Sequence, residues 1–167
     1  MTKTFIKAAL AATVATSLFS APAMAADTKP FTATARIVKP LILTNVDDLD
    51  FGTITMLPAL TSSDVTVGRA GGGADACGAD LSCTAPTPAS FTVAGSASQD
   101  LDVTIAAPLT LDDGAGNSVA FSVDAPSLIT LDALGATSFE IGGTITVLSS
   151  TVDGTYTNTV DVTVEYS

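Results

Sequence analysis

The chain has 167 residues, with 17 acidic and 6 basic groups, a formal charge of −11, no histidine and no tryptophan. Without histidine there is no ordinary Ser-His or Cys-His catalysis and no His-rich metal site. Nucleic acid is excluded as a partner, because its binding depends on Lys and Arg neutralising phosphates.

The first 25 residues read as an export signal. Lys3 and Lys7 form a basic start, residues 8–19 are apolar with small hydroxyl interruptions, and Ala23-Met24-Ala25 gives the small-x-small cleavage pattern. The apolar stretch is too short for a membrane anchor, and no later segment is long and apolar enough to span a bilayer. Cleavage after Ala25 leaves Lys29, Arg36, Lys39 and Arg69 against all 17 acidic groups, a net charge of −13. The expected location is the periplasm, the cell surface or an extracellular fibre, with no direct membrane insertion. Residues 26–38 are expected to form an N-terminal strand, and residues 39–167 a single β-sandwich domain of sufficient length to bury a core.

Along that part, period-two alternation recurs and no convincing helical period is found. Phe31, Ala33, Ala35 and Ile37 alternate with polar neighbours, and Leu41 and Leu43 resume the phase after Lys39-Pro40. Residues 45–48 read as a turn, and residues 49–54 as a second strand. Residues 64–67 read as a third, ahead of a glycine-rich loop. That loop contains Cys77 and Cys83, whose spacing in an oxidising compartment predicts a disulfide closing a small surface loop. Strands follow at residues 90–94 and 101–105. The run Asp112-Asp113-Gly114-Ala115-Gly116-Asn117 is a dense turn signal between two further alternating segments. Residues 128–134 fit either a helical turn or a strand, and residues 139–147 form another strand. The final strand has Val160, Val162, Val164 and Tyr166 on one face and Asp161, Thr163 and Glu165 on the other. Only Ser167 follows it, so function is expected from loops, edges or the other end of the chain.

Eight or nine short strands with turn residues between them predict an all-β antiparallel sandwich, with a barrel as the alternative. Carboxylates are plentiful, but without tryptophan, and with both tyrosines in the last strand region, a sugar-stacking cleft is hard to build. No phosphate-cradling glycine motif precedes a helix. No enzyme activity is expected and no cofactor is implied. Asp112, Asp113 and Asn117 are weak calcium candidates, as are residues 47–50. Both lack EF-hand spacing, and turns favour the same residues without a metal.

The segments Ala33-Thr34-Ala35-Arg36-Ile37-Val38-Lys39-Pro40-Leu41, Leu49-Asp50-Phe51-Gly52-Thr53-Ile54, Phe91-Thr92-Val93-Ala94-Gly95 and Ile141-Gly142-Gly143-Thr144-Ile145-Thr146-Val147 resemble a bacterial family of exported proteins. So does the stretch from Gly154-Thr155-Tyr156 to Tyr166. That family is known as domain of unknown function 4402. The Leu-x-Phe-Gly element and the closing strand are also similar to spore-coat-U-like subunits of archaic chaperone–usher pili. This second resemblance implies an immunoglobulin-like sandwich lacking one strand, whose groove is filled by a neighbour's N-terminal segment. Phe31, Ala33, Ala35 and Ile37 would be the donor side chains, and Val160, Val162, Val164 and Tyr166 would line the groove. The implied function is that of a fimbria-like surface subunit. Its partners would be other copies or related subunits, together with a periplasmic chaperone and an outer-membrane usher. The same first segment could equally complete its own sandwich, since both arrangements demand the same alternation. A different class of function, a secreted monomeric module binding a glycan or surface partner, would use residues 68–83 and 112–117.

Overall fold

A computed structural model describes residues 27–106 and 109–167. The expected export signal lies outside the described residues. The chain divides into two units, Met1–Ala35 and Arg36–Ser167. In the first, residues 27–35 form no strand and are exposed, with Phe31 90% accessible. The second unit is all β, and its strand pairs are antiparallel.

Twelve strands are found among the described residues: β1 Ile42–Asp47, β2 Thr53–Met56, β3 Ser62–Val67, β4 Ala76–Cys77, β5 Leu81–Thr84, β6 Ala89–Ala94, β7 Asp100–Ile105, β8 Leu109–Asp112, β9 Ser118–Asp124, β10 Leu128–Thr130, β11 Ala136–Leu148 and β12 Val162–Tyr166. The large layer is built around β11, which is 13 residues long. Its first half pairs with β6, which continues to β1, and its second half lies between β3 and β9. Gly142 and Gly143 sit at the change of partner. A Cβ on Gly142 would lie 2.2 Å from the Val67 carbonyl, and one on Gly143 would lie 2.4 Å from the Phe121 ring. Neighbouring strands can approach there only because no side chain intervenes.

The opposite layer is split into two ribbons. The β10-β7-β12 ribbon packs Leu101, Val103, Leu131, Val162, Val164 and Tyr166 against Val93, Phe139 and Ile141. The β2-β5 ribbon packs Ile54, Leu81 and Cys83 against Val65, Val67, Phe121, Ile145 and Val147. Two core clusters result, one under each ribbon. Phe51 and Phe121 meet edge-on at 5.8 Å in the cluster under the β2-β5 ribbon, and Phe91 stacks on Phe139 at 5.4 Å in the one under β10-β7-β12.

Several boundaries differ from the sequence reading. The alternating segment from Phe31 to Ile37, expected as a strand, forms none. Residues 45–47 belong to β1, whose pairing with β6 slips by one residue between Asn45 and Asp47, rather than to a turn. The strand expected at residues 49–54 is interrupted by Gly52 at φ 69°, so that Asp50 makes only an isolated bridge to Thr87 and β2 begins at Thr53. Residues 128–130 resolve as a short strand paired with β7. The cysteine loop contains two strands, β4 and β5, that the sequence did not reveal.

Candidate functional site: a groove between the two ribbons

Between the ribbons lies a groove of about 840 Å³. Its floor comes from the large layer, with Val119 and Phe121 on β9 and Ile141, Ile145 and Val147 on β11. Thr53, Ile54 and Met56 of β2 line one wall, and Val160 and Val162 line the wall leading into β12. Residues 151–159 close one end. They are tied to the edge of β8 by the Asp112–Thr157 bridge, N–O distances 2.9 and 3.0 Å, and by the Asn158 amide donating to the Thr110 carbonyl. Asp48, Asp50 and Asp153 also line the groove, and no Lys or Arg does.

Among the described residues, neither wall has a strand partner on its groove side: β12 pairs with β7, and β2 with β5. Antiparallel pairing alternates residues that exchange bonds with residues that point the other way. Ser167 N donates to Asp100 O and Ala106 N donates to Asp161 O, which fixes the phase of β12. Thr163 and Glu165 therefore bond towards β7, while the backbone groups of Val162, Val164 and Tyr166 point to the open edge. By the same reasoning, Leu57 N donating to Asp80 O directs the backbone groups of Ile54 and Met56 outward from β2.

Of the four final-strand residues singled out in sequence, Val160 and Val162 line the groove. Val164 and Tyr166 instead pack on the second core cluster. Tyr166 also fastens the chain where it enters the sandwich: its hydroxyl accepts from Ser96 N at 2.8 Å and donates to Lys39 O at 2.7 Å. Arg36 donates to the Ser167 carbonyl at 3.2 Å and to the Gln99 side chain. Ile37, between these anchors, is 94% exposed. Of the proposed donor side chains, Phe31, Ala33, Ala35 and Ile37 all lie in exposed chain without a strand.

Cys77 and Cys83 form a disulfide with S–S 2.06 Å. It does more than close a surface loop. Cys77 belongs to β4 on the large layer and Cys83 to β5 on the two-stranded ribbon, so the bond joins the layers along one side of the sandwich. The rest of the glycine-rich loop is also secured: Gly68 N donates to Asp75 at 2.7 Å, Ala70 N donates to Glu140 at 2.7 Å, and Arg69 pairs with Asp124 at 2.9 Å.

In the other acidic loop, the Asp113 carboxylate accepts from the backbone amides of Ala115 and Asn117 at 2.8 and 3.0 Å, and from the Asn117 side chain. These bonds, the Asn117 side chain first, hold its carboxyl below the usual value of 3.8. Asp112 belongs to β8 and pairs with Ser118. The arrangement is that of a turn stabilised by its own aspartate. No group of three or more metal-ligating side chains occurs among the described residues.

Sequence reasoning missed the β2 wall and the floor as parts of one site. The only available signal was the alternation of Thr53 to Met56, which marks a strand without marking an open edge.

The fold is an antiparallel β-sandwich whose second layer consists of two ribbons that do not pair with each other among the described residues. Residues 41–166 match the family described as domain of unknown function DUF4402, and the chain belongs to that family. No curated protein matches the chain.

Proposed function

We propose that this protein is an exported, non-enzymatic structural subunit that assembles on the cell surface by β-strand complementation. An extended N-terminal segment of one copy pairs beside β12 of the next. The observation that carries this reading is the edge of β12, unpaired among the described residues, beside a groove with an apolar floor, in a chain whose alternating segment at residues 31–37 is exposed and outside any strand. Strand addition suits both halves, since main-chain bonds supply affinity and alternate side chains fill the floor. Donor and acceptor are different surfaces of one chain, so the contact is head-to-tail and generates an open fibre. A periplasmic chaperone and an outer-membrane usher would fit this route, covering the groove before assembly and ordering the subunits during it.

The test is the size of native material sheared from producing cells and resolved before and after boiling. A ladder that collapses on heating is expected, and deletion of residues 27–38 from the full chain should abolish it while leaving a folded monomer. A single monomer band from the intact chain, or a ladder that survives the deletion, overturns the reading.

A further inference from the structure

Residues 26–167 contain four basic side chains, Lys29, Arg36, Lys39 and Arg69, and the structure leaves one of them open to an endopeptidase. We infer that the Arg36–Ile37 peptide bond is a processing site for a serine protease whose specificity pocket holds a carboxylate for an arginine side chain. The cut separates the strandless segment ahead of Ile37 from a body that stays folded. The site stands on its own geometry, whereas its effect on assembly rests on the strand-complementation reading.

The other three basic residues are closed to such an enzyme. Lys29 and Lys39 are each followed by proline, at Pro30 and Pro40. Proline brings a rigid ring and no N–H to the bond, and both suit a cleft built for ordinary peptide bonds poorly. The Arg69 side chain is only 14% exposed and pairs with Asp124 at 2.9 Å. The bond after it is tied on both sides, since Arg69 O accepts from Gly72 N at 2.9 Å and Ala70 N donates to Glu140 at 2.7 Å. Drawing it into a cleft would break all three contacts.

Arg36–Ile37 has the opposite surroundings. A peptide bound in extended form bonds to its receptor through the main chain, so its own backbone must be free. Residues 33–38 are exposed and lie in no strand, and among the described residues their backbone groups make no hydrogen bond within the chain. Ile37, just past the cut, is 94% exposed. The first fastened backbone lies beyond it at Lys39, whose N donates to Ser96 Oγ at 2.7 Å and whose O accepts from Tyr166 at 2.7 Å. That clasp therefore stays with the body, as does Leu41, which packs on the core cluster under the β10-β7-β12 ribbon. Hydrolysis breaks the C–N bond: the oxygen of water goes to the Arg36 carbonyl carbon, leaving a carboxylate, and a proton goes to Ile37 N, leaving an ammonium group.

Arg36 is held at the same place by its side chain alone. Its guanidinium donates to the Ser167 carbonyl at 3.2 Å and to the Gln99 side chain. A protease pocket must draw it from both, and exposed contacts of this kind are weak, so they slow the cut without preventing it.

The full chain is digested under native conditions with trypsin as the probe, and products are read by intact mass and N-terminal sequencing. One early cut within residues 27–167 is expected, giving a body that begins at Ile37, resists further digestion and keeps the denaturation midpoint of the intact chain. Gln99→Ala should speed that cut by about threefold. Arg36→Gln leaves the pocket carboxylate unpaired, and Ile37→Pro keeps Arg36 but alters the bond; each should slow the cut by at least about a hundredfold. An early cut after Arg69, or a body that unfolds, overturns the site. In producing cells, sheared material should contain chains that start at Ile37, and these should be absent from Ile37→Pro and from cells kept with a covalent serine-protease inhibitor. Chains that all start upstream of Ile37 overturn processing. The purified body, added to elongating intact chain, should arrest growth because it has lost residues 31–36. A body that elongates like the intact chain overturns the donor role of that segment and leaves the processing site standing.

Discussion

Tyr166 shows how one polar atom can define where a chain enters its fold. Its hydroxyl bridges Ser96 N and Lys39 O, and the ring stands so close to Gly95 that a Cβ there would lie 2.5 Å from the hydroxyl oxygen. Tyr166→Phe keeps the ring's packing and removes both bonds, leaving the Ser96 amide without that acceptor. A loss of about 1–2 kcal/mol in chemical denaturation is expected, with faster exchange at Ser96. A variant as stable as the parent would show that water replaces the hydroxyl at no net cost. Gly52 is the stricter position, since at φ 69° a Cβ would lie 1.7 Å from the Thr84 carbonyl. Gly52→Ala should destabilise by about 2 kcal/mol or more and disturb the start of β2, read as a lowered denaturation midpoint. Asp113 and Asp132 are expected to contribute to the acid response. Asp132 is held below 3.8 chiefly by the backbone amide of Ala136, then that of Leu134, as Asp113 is chiefly by Asn117. Because the folded values are depressed, the stabilisation is complete above the ordinary value and disappears as pH falls through the folded one. Asp113→Asn/Asp132→Asn should therefore flatten the decline of the denaturation midpoint below about pH 4. Equal slopes in parent and variant would remove these carboxylates from the acid response.

At the scale of elements, the disulfide joins β4 of the large layer to β5 of the two-stranded ribbon. The bond closes a short loop, so removing it should cost only about 2 kcal/mol of global stability by chain entropy. The larger effect is expected to be local, at β2, and amide exchange combined with a denaturation curve separates the two. A uniform loss across all strands would contradict that picture. The strands best legible in sequence were β3, β6, β7, β9 and β11, where apolar and polar residues alternate because one face meets a core cluster. β4 and β5 were not legible. They are only two and four residues long, in a glycine-rich loop, and their pairing with β3 and β2 is a tertiary choice. Phe31 to Ile37 illustrates the converse. Alternation states which side chains would share a face, but not whether the same chain offers a neighbouring edge. The groove was less legible for the same reason: of the alternating residues Val160 to Tyr166, only Val160 and Val162 line it. The split between the ribbons depends on which edges fail to meet, and no local pattern records that.

At the scale of the whole molecule, charge is distributed so that a segment and a body attract while two whole chains repel. Residues 29–39 have three cations and no acid, whereas residues 40–167 have 16 acidic groups and Arg69 alone, a net charge of −15. Residues 27–167 together carry −13, so two intact chains approach against long-range repulsion. Salt screens whichever term dominates at a distance, with a Debye length of about 30 Å at about 0.01 M and about 8 Å at about 0.15 M. For a free peptide of residues 29–39 that term is attraction, so its association rate with the full chain should fall as salt rises. For two intact chains it is repulsion, so fibre elongation should accelerate over the same range. Dissociation of the seated strand, held by backbone bonds and apolar floor contacts, should change little in either case. Measuring peptide association by stopped-flow fluorescence and elongation by light scattering across that range tests the sign of both responses. Salt responses of the same sign for peptide and chain would show that this charge separation does not govern encounter.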